Sequence, residues 1–230
     1  MRGLIYDLKR AFCMSQPANA ALILIDMEMG FLSPQSAHCI PSAAKTVPNC
    51  QRAIVAARKR GIPIFFVIRQ YRPDGSDVEI TRYPEWAAGG RAMAPGSCGP
   101  LSCQMPPELT PQAGDFIIVK PRWSAFFQTQ LDLMLRRLDI ETVVLAGTTT
   151  PNCVRTTCYD ANALDYNVMV LEDCTSSKTD EIQRVNIEDM ARMGATIADS
   201  VTFEARGVEG MENLRRQVHA KACESCAPRG

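Results

Sequence analysis

The chain has 230 residues, of which 46% are apolar and 22% charged, the balance of a single globular domain with room for a sizeable core. Its 25 basic residues are matched by 25 acidic ones, so no overall field gathers nucleic acid or an anionic membrane, and neither partner is expected. No apolar run reaches the ~18 residues of a membrane helix, and the charged start MRGLIYDLKRAFCMSQPANA is not of signal-peptide type, so the expected location is cytoplasmic.

Residues 1–18 read as an N-terminal extension. Arg2, Lys9 and Arg10 are basic as in a mitochondrial presequence, but Asp7 and the short length count against one. AALILID, residues 20–26, is a continuous apolar run closed by an acid, which suits a strand buried on both faces. AAKTVPNCQRAIVAARKR, 43–60, has helical spacing and stops at Gly61, before the strand pattern IPIFFVI, 62–68. Residues 71–112 are rich in Gly, Pro, Ser and Met with weak periodicity, and read as a lid-like excursion over the site.

DFIIVK, 115–120, is the next strand, and FFQTQLDLMLRRL, 126–138, the helix after it. TVVLAG, 142–147, ends at Gly147 before the turn TTTPN. The pattern NCVRTTCYDANAL, 152–164, then predicts a helix with Cys153 at its start. YNVMVLED, KTDEIQRVNIEDMARM and GATIAD give strand, helix and strand, with Gly194 as the helix stop. Alternating strands and helices predict an α/β fold, a six-stranded mainly parallel sheet covered by helices on both faces. The domain is expected to span 19–206, with a C-terminal helix and tail over 207–230.

The ten cysteines suit buried small residues and scattered thiols better than a disulfide framework. Cys223 and Cys226 form a close-spaced pair with only His219 nearby, short of a zinc site. Neither a GxGxxG nor a GxxxxGK[ST] phosphate loop occurs. No metal and no cofactor are expected.

Ligands of an open parallel sheet bind beyond the carboxyl ends of its strands. Asp26, Lys120 and Cys153 all fall at such ends. A helix N-terminus and a neighbouring ammonium would lower the Cys153 thiol pKa, Asp26 would take the thiol proton, and Lys120 would hold the carboxylate. Backbone N–H groups of the turn before Cys153 could hold an oxyanion. Singly, the three residues read as a helix cap, a solvated charge and core filler.

Together they resemble the isochorismatase-like cysteine hydrolase superfamily, on three segments in order: LILIDMEMGFL, IIVKPRWSAFFQTQLDLMLRRLDIETVVLAGTTTPNCV and TTCYDANALDYNVMVLEDCTSS. The resemblance implies the Rossmann-like three-layer fold of that family over roughly 19–205, and a catalytic triad of Asp26, Lys120 and Cys153. It also implies a cis peptide between Thr148 and Thr149, with the amides of Thr149 and Cys153 as oxyanion hole. A homo-oligomer, dimer or tetramer, is implied as well.

The implied reaction is metal-independent cleavage of a C–N bond in an amide, ureide or lactam through an acyl-thioester. Nicotinamidases of the family carry an Asp-x-His metal motif, whereas His38 and His219 stand at unrelated spacing. The ether-cleaving isochorismatases lack the cysteine. The loops most resemble the streptothricin-hydrolase branch, with biuret-, ureidoacrylate- or N-carbamoyl-type substrates, ether hydrolysis and a non-catalytic binding descendant as alternatives. Phe31, Trp123, Tyr71 and Arg82 are the expected substrate-binding residues, and Phe127 is expected in the core. Glu28, where the family commonly has Gln, puts a second carboxylate near Asp26; it is expected to face solvent or a partner subunit, the alternative being a pocket-facing group that selects an amine-bearing substrate and raises the Asp26 pKa by like-charge repulsion.

Overall fold

The computed structural model describes residues 19–226. The 1–18 extension and the last four residues of the tail lie outside the described residues. Six parallel strands form one sheet: β1 Ala20–Ile25, β2 Ile64–Arg69, β3 Phe116–Lys120, β4 Thr142–Thr148, β5 Asn167–Ser176 and β6 Thr196–Ala198, in the order β3-β2-β1-β4-β5-β6. The helices are α1 Met29–Leu32, α2 Ala43–Lys59, α3 Tyr83–Ala88, α4 Leu131–Arg137, α5 Arg155–Ala163, α6 Asp180–Arg192, α7 Ser200–Arg206 and α8 Leu214–Cys226. No helix among the described residues is long and apolar enough to cross a membrane.

Alternation along β1 divides the core. Leu22 and Leu24 turn to one face with Ala53, Ala57, Ile54 of α2 and Phe203 of α7. Ala21, Ile23 and Ile25 turn to the other with Leu131 and Leu135 of α4, Cys158 and Ala161 of α5, and Ile187 and Met190 of α6. A strand covered on both faces has no polar side to show, which is why AALILI is uniformly apolar and fully buried. Two helix starts are capped by side chains: Thr179 accepts from Ile182 N–H and Asp199 from Thr202 N–H.

Two expectations change. The helix expected over 126–138 begins only at Leu131: Gln128 has φ 53°, and Thr129 Oγ1 bonds to the Ala125 carbonyl at 2.5 Å, so the chain turns first. The stretch 71–112, expected as a lid-like excursion over the site, packs as a wall of the core. Tyr71, Trp86, Met93 and Leu109 are buried in it, and its Ser102 and Gln104 carbonyls accept the N–H groups of Gly30 and Met29.

The sheet reverses its winding between β1 and β4, and the loops leaving their carboxyl ends run to opposite sides. A crevice must open there. Gly147 makes the close approach possible: its φ is 110°, and a Cβ there would stand 2.0 Å from the Ile25 carbonyl oxygen.

Candidate active site

Asp26 follows β1 with φ 49°, held by its own N–H to the Val67 carbonyl at 2.8 Å. Lys120 ends β3, two strands away, and its Nζ reaches Asp26 Oδ2 at 2.7 Å and the Arg122 carbonyl at 3.0 Å. Both side chains are wholly buried. A pair so enclosed is little screened by salt or water, and removing either partner would strand a charge. The other carboxylate oxygen, Oδ1, is buried and has no hydrogen-bond partner among the described residues.

Cys153 comes from the far side of the switch point. It lies in a wide turn of π type, Thr150–Val154, that runs into α5, a local irregularity of the kind found at functional sites. The Thr149 carbonyl accepts from the N–H groups of Asn152 at 3.0 Å and Val154 at 3.2 Å, so the Cys153 amide lies between two committed ones. The threonines are braced from β5: Thr148 Oγ1 is 2.7 Å from Ser176 Oγ, and Thr150 Oγ1 is 2.9 Å from the Ser176 carbonyl and 2.7 Å from Gln183 Oε1. The peptide between Thr148 and Thr149 is cis.

The electrostatics correct one expectation. Burial pushes the Cys153 thiol pKa up, the charge of Asp26 adds to this, and Lys120 and Arg69 only partly offset them. The resting sulfur is therefore a thiol beside the Asp26 side chain, not a free-standing thiolate. Desolvation outweighs the neighbouring cations because the site is enclosed.

Glu28 also corrects its expectation, since it faces neither solvent nor a partner. It is wholly buried, and one of its oxygens accepts the Arg69 backbone N–H. Burial first, and then the charge of Asp26, hold its pKa well above the usual carboxylate range. A neutral Glu28 has the shape of the glutamine common at this place.

Of the expected binding residues, Trp123 is 38% exposed and stands open to solvent after β3, as does Phe127, which is exposed and not in the core. Phe31 is buried with Met27, Trp86 and Met93. Tyr71 is 1% exposed, its hydroxyl turned inward to donate to Glu79 Oε2 at 2.7 Å. Arg82 leans on the same carboxylate at 3.9 Å. Tyr71 and Arg82 are thus both tied to Glu79.

The sequence reading missed Arg69. It closes β2 as Asp26 follows β1 and Lys120 closes β3, and it is paired in register with Lys120. Its guanidinium donates to Cys153 Sγ at 3.3 Å, and its Nε lies 3.7 Å from Asp26 Oδ2. The signal was present: a charge at the end of the apolar run IFFVI, like the two that were noticed.

A family model for the isochorismatase domain matches residues 20–201. A probable inactive nicotinamidase of Arabidopsis thaliana is 37% identical over 178 residues, 76% of this chain and 90% of that protein. A ureidoacrylate amidohydrolase of Yersinia enterocolitica is 31% identical over 200 residues, 80% of this chain and 87% of the other. Among solved structures, an isochorismatase family protein from Desulfovibrio vulgaris superposes with a TM-score of 0.77 at 36% identity, covering 82% of this chain and 97% of that one.

Proposed function

This chain belongs to the isochorismatase family, and on that premise we propose that it is a cysteine amidohydrolase cleaving a C–N bond of an amide, ureide or lactam through an acyl-thioester. The observation that carries the reading is the meeting of Asp26, Lys120 and Cys153 in one buried site, drawn from three strand ends. Its ureidoacrylate amidohydrolase relative makes ureides the first substrates to test, and lactams of the streptothricin type the second.

In the proposed course, Asp26 Oδ1 takes the Sγ proton as sulfur attacks the carbonyl carbon. Lys120 remains on Oδ2, so the two carboxylate oxygens have separate tasks. The oxyanion is held by the N–H groups of Thr149 and Cys153. The C–N bond breaks as the proton passes from Asp26 to the leaving nitrogen, which departs as ammonia or an amine. Water then gives a proton to Asp26 while attacking the thioester, and the expelled sulfur recovers that proton. Trp123 is the proposed wall of the substrate entrance. No step in this course calls on a metal.

The relative named as probably inactive keeps a non-catalytic reading in play, but the buried triad favours turnover: a bare binding pocket has no use for a buried carboxylate–ammonium pair beside a thiol. The test is ammonia release from a panel of ureides, amides and lactams by wild type and Cys153→Ala. Release by wild type and its loss in the variant are expected. Equal release by both would sink the mechanism. We also propose a homo-oligomer, dimer or tetramer, to be checked by light scattering.

A further inference from the structure

Arg69 is the most heavily bonded side chain at the site, and the triad mechanism gives it nothing to do. One end of its guanidinium, Nη1, meets Glu79 Oε1 at 2.5 Å, the Tyr71 hydroxyl at 3.0 Å and the Pro121 carbonyl at 3.2 Å. The other, Nη2, meets the Arg122 carbonyl at 2.9 Å and Cys153 Sγ at 3.3 Å. The side chain is wholly buried. Every one of these bonds except that to sulfur goes to a group fixed in the fold, which leaves no free fork for a substrate carboxylate. The rigid, planar geometry of arginine is what lets one cation serve so many directions; a lysine could hold the charge but not the fork.

Charges of both signs surround it. Asp26 faces Cys153 from the end of β1, Arg69 from β2 and Lys120 from β3, while Glu28 stands beside Asp26 in its neutral form. Glu79, from the excursion, neutralises Arg69 on the side away from the sulfur. Burial would raise the Glu79 pKa, but Arg69 and the Tyr71 hydroxyl bring it below its ordinary value, so it stays ionised. Arg82 leans on the same Glu79 carboxylate from its outer side, and moving the proton from sulfur to Asp26 leaves the total charge of the site unchanged.

We propose that Arg69 is a positioning residue for Cys153: it fixes the sulfur beside Asp26 and supplies the positive charge against which the thiolate forms, with Glu79 limiting that charge. The excursion is thereby tied to the nucleophile, since Glu79 and Tyr71 belong to it, and Arg122, whose carbonyl Arg69 holds, bonds back to the Asp77 carbonyl. The inference rests on Cys153 being the nucleophile, but its test needs no substrate.

The experiment is the rate of Cys153 alkylation by iodoacetamide against pH, read by peptide mass, in wild type, Arg69→Met, Arg69→Lys and Glu79→Gln. Arg69→Met should move the midpoint to higher pH by about one to two units, the effect of losing a close opposite charge. Arg69→Lys should recover part of that shift. Glu79→Gln should move the midpoint the other way, because it removes a negative charge and leaves the guanidinium less neutralised. A purely structural role predicts loss of amplitude without movement of the midpoint. An unmoved midpoint in Arg69→Met, or Glu79→Gln shifting in the same direction as Arg69→Met, overturns the proposal. If Arg69→Met does not fold, Glu79→Gln decides: a lower midpoint supports it, and an unchanged or higher one overturns it. Failure to release ammonia from any substrate would count against the amidohydrolase reading alone.

Discussion

The two ends of the sheet carry the same kinds of residue in opposite circumstances. At the carboxyl end Asp26, Lys120 and Arg69 are fully enclosed and joined to one another. At the amino end Arg216 pairs with Glu141 at 2.7 Å with side chains 60% and 22% exposed, beside a cleft of about 820 Å3 lined by Arg136, Tyr166, Asn167 and His219 among others. The charges that line the cleft are shared with water. The difference teaches that exposure decides what a charge can do: the enclosed set can shift protons and is costly to disturb, while the open set mainly decorates a surface.

The sharpest way to break this comparison is Lys120→Met, which keeps the length of the side chain and removes its charge. Asp26 would lose its closest cation in a dry setting, and a destabilisation of about 3–5 kcal/mol is expected from denaturant unfolding. Activity should fall with it, since Asp26 would no longer be held toward the thiol. A change below about 1 kcal/mol would mean that the carboxyl end is much wetter than its burial indicates.

Gly147→Ala attacks the same end through the backbone. The added methyl would meet the Ile25 carbonyl oxygen at 2.0 Å, and Ile25 N and C as well, none of which can rotate away. β1 and β4 would have to part where Asp26 and the Thr148–Cys153 turn are set. A loss of several kcal/mol is expected, in the severe class of single substitutions, measured by thermal or denaturant melting.

Glu28→Gln should act in the opposite direction. Because the folded-state pKa of Glu28 is raised, the folded protein binds its proton more tightly than the unfolded chain does, and stability falls as pH rises from about 4.3 toward the folded value. Glutamine removes that dependence at nearly constant shape. The variant should match wild type in acid and become the more stable at higher pH, the gap opening by up to about 1.4 kcal/mol per pH unit within the window. Parallel stability curves for the two proteins would show that Glu28 is ionised in the fold.

Much of the carboxyl end was legible in the sequence, because strands buried on both faces leave uniform apolar runs and the charges that close them stand out. Asp26 and Lys120 were found that way, and Arg69 obeys the same rule one strand over. It escaped notice because the tract IRQYRPDGSD continues in polar residues, so its arginine looked like the first of a solvated loop. Glu28 and Tyr71 were misplaced for a related reason. Their burial depends on residues 71–112 folding back as a wall, and that stretch buries Trp86 and Met93 without a sequence periodicity to announce it. The raised thiol pKa was equally hidden, since the sequence shows which cations are near Cys153 but not how much water is excluded.

The smallest expected effect belongs to the amino end, and it completes the contrast. Arg216→Ala removes the guanidinium whose Nε donates to Glu141 Oε2 at 2.7 Å, a bond as short as the one between Lys120 and Asp26. Length alone would rank the two alike. Water ranks them differently: Arg216 is more than half exposed, so its charge is solvated before and after, and Glu141 keeps the Asn213 amide at 3.0 Å. The expected loss is below about 1 kcal/mol and shrinks further in added salt. Ammonia release and the pH midpoint of Cys153 alkylation should be unchanged in this variant, because no part of the pair reaches β1, β2 or β3 at their carboxyl ends. A large loss in Arg216→Ala, or a moved midpoint, would mean that the two ends are coupled through the sheet and that enclosure is not what separates them.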